Sequence, residues 1–197
     1  LEAAVVIYLR NLFYPSGFYF PVKEMPSDIL VVELLRETST IVMLITVAMM
    51  AGKKNKERFS YFIYSFGVWD IFYYIWLAIM IGWPKSLLTY DILFFIPVIW
   101  VGPVLAPVIV SLTMIVSAVT YILLIEKGYE PELKKSSLMF ACTGSFIIFL
   151  SFIIDFKNII SLNTPVGYRW WLFEIGEFLI IAGYFITFKN YFKKKRN

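Results

Sequence analysis

Apolar residues run in long blocks along this chain, and charged residues collect in the short gaps between them. Five blocks stand out, at 29–51, 59–82, 103–125, 137–156 and 170–188. At 1.5 Å rise per residue, each makes about 28 to 36 Å of helix, which matches a hydrocarbon core of about 30 Å. Helix is the expected state because lipid offers no hydrogen bonds, so a spanning backbone must pair within itself. The breaks are clear. The basic turn Lys53, Lys54, Lys56 and Arg58 follows the first block, Trp83-Pro84 closes the second, and Glu126-Lys127-Gly128 follows the third. The pattern predicts an all-α fold, a polytopic transmembrane helix bundle with five clear spans in a single domain over residues 1–197.

Two segments fit this pattern less well. Ala3 to Leu9 is apolar, but residues 1–14 reach only about 21 Å as helix, and Pro15-Ser16-Gly17 ends any helix there. The favoured expectation is the outer end of a truncated span, giving a sixth crossing; the alternative is an interfacial helix. In 91–107, Pro97 and the pair Gly102-Pro103 interrupt an apolar run. Proline lacks an amide donor and clashes with the preceding turn, whereas Pro103 suits the first helical position of the third span. Residues 91–101 then read as a short half-helix or re-entrant piece on the outer side. Such a Pro-broken segment lines the substrate cavity in many transporters. The plainer reading, an interfacial helix before a Pro-started span, is favoured because proline is common in membrane helices.

Charge sets the orientation. Twelve Lys/Arg lie in the 53–58 turn, the 127–135 loop and the tail from Lys189, against four (Lys23, Lys85, Lys157, Arg169) in the opposite loops. Basic residues favour the cytoplasmic side, so the expected location is the cell membrane, a bacterial cytoplasmic membrane, with the C-terminus inside. Trp83 and Trp170-Trp171 then fall at the outer interface, where amphipathic rings prefer to sit. The net charge of +4 therefore reflects topology and contact with anionic lipid at the cytoplasmic face, and nucleic acid is not an expected partner.

The acids are the informative residues. Glu33, Arg36 and Glu37 share one helix face within the first span, since they are spaced i, i+3 and i, i+4. Asp70 lies near the middle of the second span, flanked at helical spacing by Gly67, Tyr73 and Tyr74. Glu174 and Glu177 lie one to two turns into the fifth. Asp91 lies on the outer side and Asp155 at the outer end of the fourth, with Arg10 at similar depth if residues 1–14 belong to a span. An ionised carboxylate at the bilayer centre costs about 2.5–3.5 kcal/mol, so these groups must meet each other, meet water or hold a proton. The expected ion or solute site is Asp70, Glu37, Glu33, Arg36, Glu174, Glu177 and Asp91, brought into one outer-half layer. The competing reading is a structural ion-pair network of Arg36 with Glu33, Glu37 and Glu177 that fixes helix registry. Thr113, Ser117 and Thr120 form a polar stripe on the third span, expected to pack helices or bond back to the preceding turn.

Several chemistries are missing. The chain has no His and a single cysteine, Cys142, so an internal disulfide and self-contained bis-His haem, zinc or facial-triad iron sites are excluded. Cys142 is expected to pack as a small hydrophobe. Hydrolase, phosphate-loop and paired-acid metal motifs are absent, so no cofactor is expected and an enzyme is disfavoured. Two functions stay open. One is handling of a proton, cation or small solute through an acid-lined outer-half cavity. The other is a non-catalytic structural or anchor subunit of a larger membrane complex, with membrane-protein partners or further copies of itself.

A resemblance covers a little over a third of the chain. It is carried by Glu33-x-x-Arg36-Glu37-x-x-Thr40, Trp69-Asp70-Ile71-Phe72-Tyr73-Tyr74, Trp83-Pro84, and Asp91-Ile92-Leu93-Phe94 through Ile96-Pro97, Trp100 and Gly102-Pro103. On these motifs the chain resembles a family of small bacterial polytopic integral membrane proteins without an assigned activity. The resemblance implies no substrate or cofactor. It draws attention to Glu37, Asp70 and Asp91.

Overall fold

In the computed structural model, residues 2–129, 131–161 and 163–196 are described, with 190–196 described for backbone alone. The element order is α1 (Glu2–Phe13), α2 (Ser27–Ala51), α3 (Asn55–Ile81), β1 (Tyr90–Phe94), β2 (Trp100–Pro103), α4 (Leu105–Glu126), α5 (Lys135–Ile153), α6 (Phe156–Ile160) and α7 (Trp170–Arg196). The fold is essentially all-α. Four segments are helical, long and apolar enough to cross a membrane: Asn55–Ile81, Leu105–Glu126, Lys135–Ile160 and Trp170–Lys189. Helix α2 has comparable length but carries Asp28, Glu33, Arg36 and Glu37 in its N-terminal half, so it stands apart from those four. The basic tail falls on α7, and the side chains of Lys193 to Arg196 lie outside the described residues.

The burial pattern is compatible with a protein in lipid. Val42, Met43, Trp76, Ile79, Phe178 and Phe185 lie on exposed faces, while Glu33, Glu37, Asp91 and Glu177 are buried. On α2 the buried residues are Glu33, Glu37, Leu44 and Ala48, which form one stripe at helical spacing. Where lipid replaces water, polar side chains turn inward and apolar ones outward.

Helices α5 and α7 form the closest pair, and backbone shape explains why. A Cβ placed on Gly144 would stand 2.5 Å from the Gly176 carbonyl oxygen, and one on Gly183 would stand 2.8 Å from that of Ser137. Small residues let membrane helices approach until their backbones touch. Gly67 does the same between α3 and α4, since its missing Cβ would lie 2.8 Å from the Ser111 carbonyl. Helix α1 lies against α3, burying Ala3 and Ile7 with Tyr74, Leu77 and Trp83.

The expectation for 91–107 needs correcting. The segment is no half-helix. Strands β1 and β2 form a two-stranded antiparallel hairpin, with Asp91 opposite Gly102 and Ile92 opposite Val101. Pro103 closes β2, and α4 begins at Leu105, so Pro103 is not the first helical residue. The physical reason lies on either side of Pro97, where short runs of aromatic and β-branched residues favour extended chain. The hairpin is anchored by packing. Trp100 meets Phe149 at 5.0 Å and stacks on Phe152 at 6.0 Å, and a Cβ on Gly102 would crowd the Phe152 ring at 3.1 Å.

Candidate functional site

Helices α1, α2 and α3 and strand β1 line most of a partly open cavity of about 370 Å³. Its wall is largely apolar, with Val6, Leu9, Phe13 and Leu30 among the lining residues. Set into that wall are Glu2, Arg10, Glu33, Arg36, Glu37, Asp70 and Asp91, with Trp69, Tyr73 and Tyr74 beside them. Five of the sequence-predicted residues, Asp70, Glu37, Glu33, Arg36 and Asp91, therefore share one cavity.

Each charge is tied to a second element. Arg10 donates from Nη2 to Asp91 Oδ1 at 2.8 Å, and both side chains are buried. The guanidinium lies over the Trp83 ring at 3.7 Å and the Phe18 ring at 4.8 Å, the geometry in which a cation is attracted to the ring face. Tyr73 Oη reaches Asp91 Oδ2 at 3.5 Å. The Arg10–Asp91 contact is an ion pair that ties α1 to β1. Arg36 donates from Nε and Nη2 to Glu33 Oε2 at 2.9 and 2.7 Å, and its Nη1 pairs with Glu2 of α1. At the cavity rim, burial raises the Tyr14 hydroxyl above its ordinary range, opposed by the Lys23 amide that donates to it.

Glu37 and Asp70 differ from the rest because no cation pairs with them. Both carboxylate oxygens of Glu37 accept from the Phe95 amide at 3.1 Å. Phe95 follows β1 at the turn of the hairpin, where amides have no strand partner, and Glu37 supplies the acceptor that lipid cannot. Asp70 Oδ2 accepts from Ser111 Oγ at 2.8 Å. The contact exists because Gly67, one turn earlier, lets α4 come close.

The remaining two candidates do not join the cavity. Glu174 is exposed on α7. Glu177 is buried, accepts from Thr113 Oγ1 at 3.1 Å, and leaves Oε1 unpartnered. The single outer-half layer expected from sequence is thus divided. Helix α7 packs on α5 and α4, so its inward face meets Thr113 and not α2. For the same reason Arg36 is tied to Glu33 and Glu2, and Glu177 takes no part in its ion pairs. The polar stripe on α4 serves this contact, since Thr120 bonds back to the Val116 carbonyl and meets Tyr184 Oη at 3.1 Å. Asp155 is structural, accepting from Asn158 Nδ2 at 3.1 Å and the Val166 amide at 2.6 Å. Cys142 corrects another expectation, for it lies on an exposed face of α5 rather than packed inside.

Sequence reasoning missed Glu2 and Ser111. Glu2 opens a segment too short to be assigned with assurance, and its partner lies on another helix. Ser111 is an unremarkable hydroxyl in the third apolar block; only the α3–α4 contact makes it the partner of Asp70. Comparison with family models, curated proteins and solved structures finds no match for this chain.

Proposed function

We propose that this chain is a multi-pass protein of the bacterial cytoplasmic membrane that binds a small solute in its outer-half cavity and passes it on. In this reading α2 is a fifth span beside the four apolar helices. Its charged half faces the cavity, and the basic tail lies in the cytoplasm. The observation that carries the proposal is the cavity itself. About 370 Å³ of space is retained at the point where five candidate residues from α2, α3 and β1 meet. Pockets of roughly this size, mainly apolar with a few placed polar groups, are the usual form of small-molecule sites. The acids are distributed along the wall, and among the described residues no three are grouped to hold a metal ion.

Leu30→Trp, which fills the cavity from α2, tests this. Native mass spectrometry of the purified protein should find a small molecule retained by the wild type and missing from the variant. If both release the same small molecules, or neither releases any, the reading fails.

A second reading is favoured by a specific observation: Arg10–Asp91, Arg36–Glu2, Glu37–Phe95 and Asp70–Ser111 each join two elements. A structural or anchor subunit would need such ties and no solute. Recovery in fixed ratio with other membrane proteins, with the cavity empty, would support that role.

A further inference from the structure

Resting on the solute-site reading above, we propose that the ligand class is a small amphipathic amine in its ammonium form, its head on Asp70 and its apolar body along α1. The first argument is the pairing of charges in the wall. Arg10 is engaged by Asp91, and Arg36 by Glu33 and Glu2. No cation is left for Asp70 or Glu37 among the described residues. A carboxylate in a low-dielectric wall without a counter-ion is costly, and a cationic guest relieves that cost. An anionic guest would find each guanidinium already in an ion pair, with Arg10 Nη1 as an unpartnered donor, and would face the uncompensated carboxylates of Asp70 and Glu37.

The second argument is independent of the acids. Among the described residues strand β1 pairs with β2 alone, and its residues Ile92, Leu93 and Phe94 line the cavity. At membrane depth, backbone groups on an open edge need partners. A primary ammonium carries three donors and no acceptor, so it can serve a carboxylate and strand carbonyls together. The rings of Trp69 and Tyr73 beside Asp70 add faces that attract a cation. The third argument is the apolar remainder of the wall, Leu9 and Phe13 of α1 and Leu30 of α2. It gives an alkyl or aryl body its place and disfavours an inorganic cation.

The test uses the full chain in nanodiscs and three probes of one size: 2-phenylethylammonium, 2-phenylethanol and phenylacetate. Binding is read by tryptophan fluorescence and calorimetry against empty nanodiscs. The ammonium should bind at least about tenfold tighter than the alcohol, a factor worth 1.4 kcal/mol, and phenylacetate should bind more weakly than either. Asp70→Asn, which can keep the Ser111 hydrogen bond, should erase the advantage of the ammonium over the alcohol. Glu174→Gln, on an exposed face, should leave it unchanged. Equal binding of ammonium and alcohol by the wild type, or tighter binding of phenylacetate, overturns the ligand class but leaves the cavity reading standing. If none of the three binds, the ligand class falls; if the wild type also releases no small molecule that Leu30→Trp lacks, the cavity reading falls as well. The wild-type series alone decides the ligand class even if Asp70→Asn does not fold.

Discussion

The α5–α7 pair and the α1–α2–α3 group solve the same problem in opposite ways. Without water, apolar faces gain little by meeting each other, so membrane helices associate through close backbone packing or through polar contacts. Helices α5 and α7 use the first. Gly144, Gly176 and Gly183 bring the backbones into contact, so that even one added Cβ would stand 2.5 Å from a carbonyl oxygen. Helices α1, α2 and α3 use the second, through the ion pairs of Arg10 and Arg36 and the carboxylates of Glu37 and Asp70. Long charged side chains hold helices apart, and the space left over is the cavity. Charge and void therefore coincide for a physical reason.

The sharpest way to break this contrast is to spoil the dry pair. Gly144→Leu should prevent α5 and α7 from docking, because the obstructing atoms are the Gly176 carbonyl and the Ile180 amide, which are backbone and cannot yield. The expected result is little or no monodisperse protein on size exclusion; a normal yield would show that the pair does not depend on backbone contact.

The next largest effect should come from the polar side. Arg10→Met leaves Asp91 buried without its partner, and breaking such a pair costs about 3–5 kcal/mol. Thermal scanning should show a fall in Tm of roughly 10 °C. Adding Asp91→Asn should recover much of it, and a double variant as unstable as the single one would deny the coupling. Ser111→Ala should cost less, about 1–3 kcal/mol for a lost hydrogen bond to a charged group, with a drop of a few degrees in the same scan. Smallest of all, Glu174→Gln on the exposed face of α7 should leave Tm unchanged. A loss as large as that of Ser111→Ala would mean that Glu174 belongs to the packed interior.

Much of the fold was legible because lipid imposes a strict rule on sequence. The apolar blocks that became α3, α4, α5 and α7 could be outlined to within a few residues, since few alternatives let an apolar stretch of that length satisfy its backbone. The hairpin was less legible. Short aromatic and β-branched runs around Pro97 suit a strand or a broken helix equally by pattern, and the choice was made by Trp100 settling between Phe149 and Phe152. The candidate site was legible in part. Depth alone singled out Glu33, Arg36, Glu37, Asp70 and Asp91, but depth says nothing about which neighbour a helix faces. That is why Glu174 and Glu177 were grouped with them and proved to lie elsewhere.

The amino-acid sequence alone determined that this protein is built of long apolar helices with acids sunk among them, because the cost of exposing backbone or charge to hydrocarbon is large and local. Tertiary structure alone decided which acids meet. It set Arg10 on Asp91, Glu2 on Arg36 and Ser111 on Asp70, and it sent Glu177 to Thr113. Those pairings depend on which helix packs against which and at what rotation, and many weak, distant contacts set that choice together.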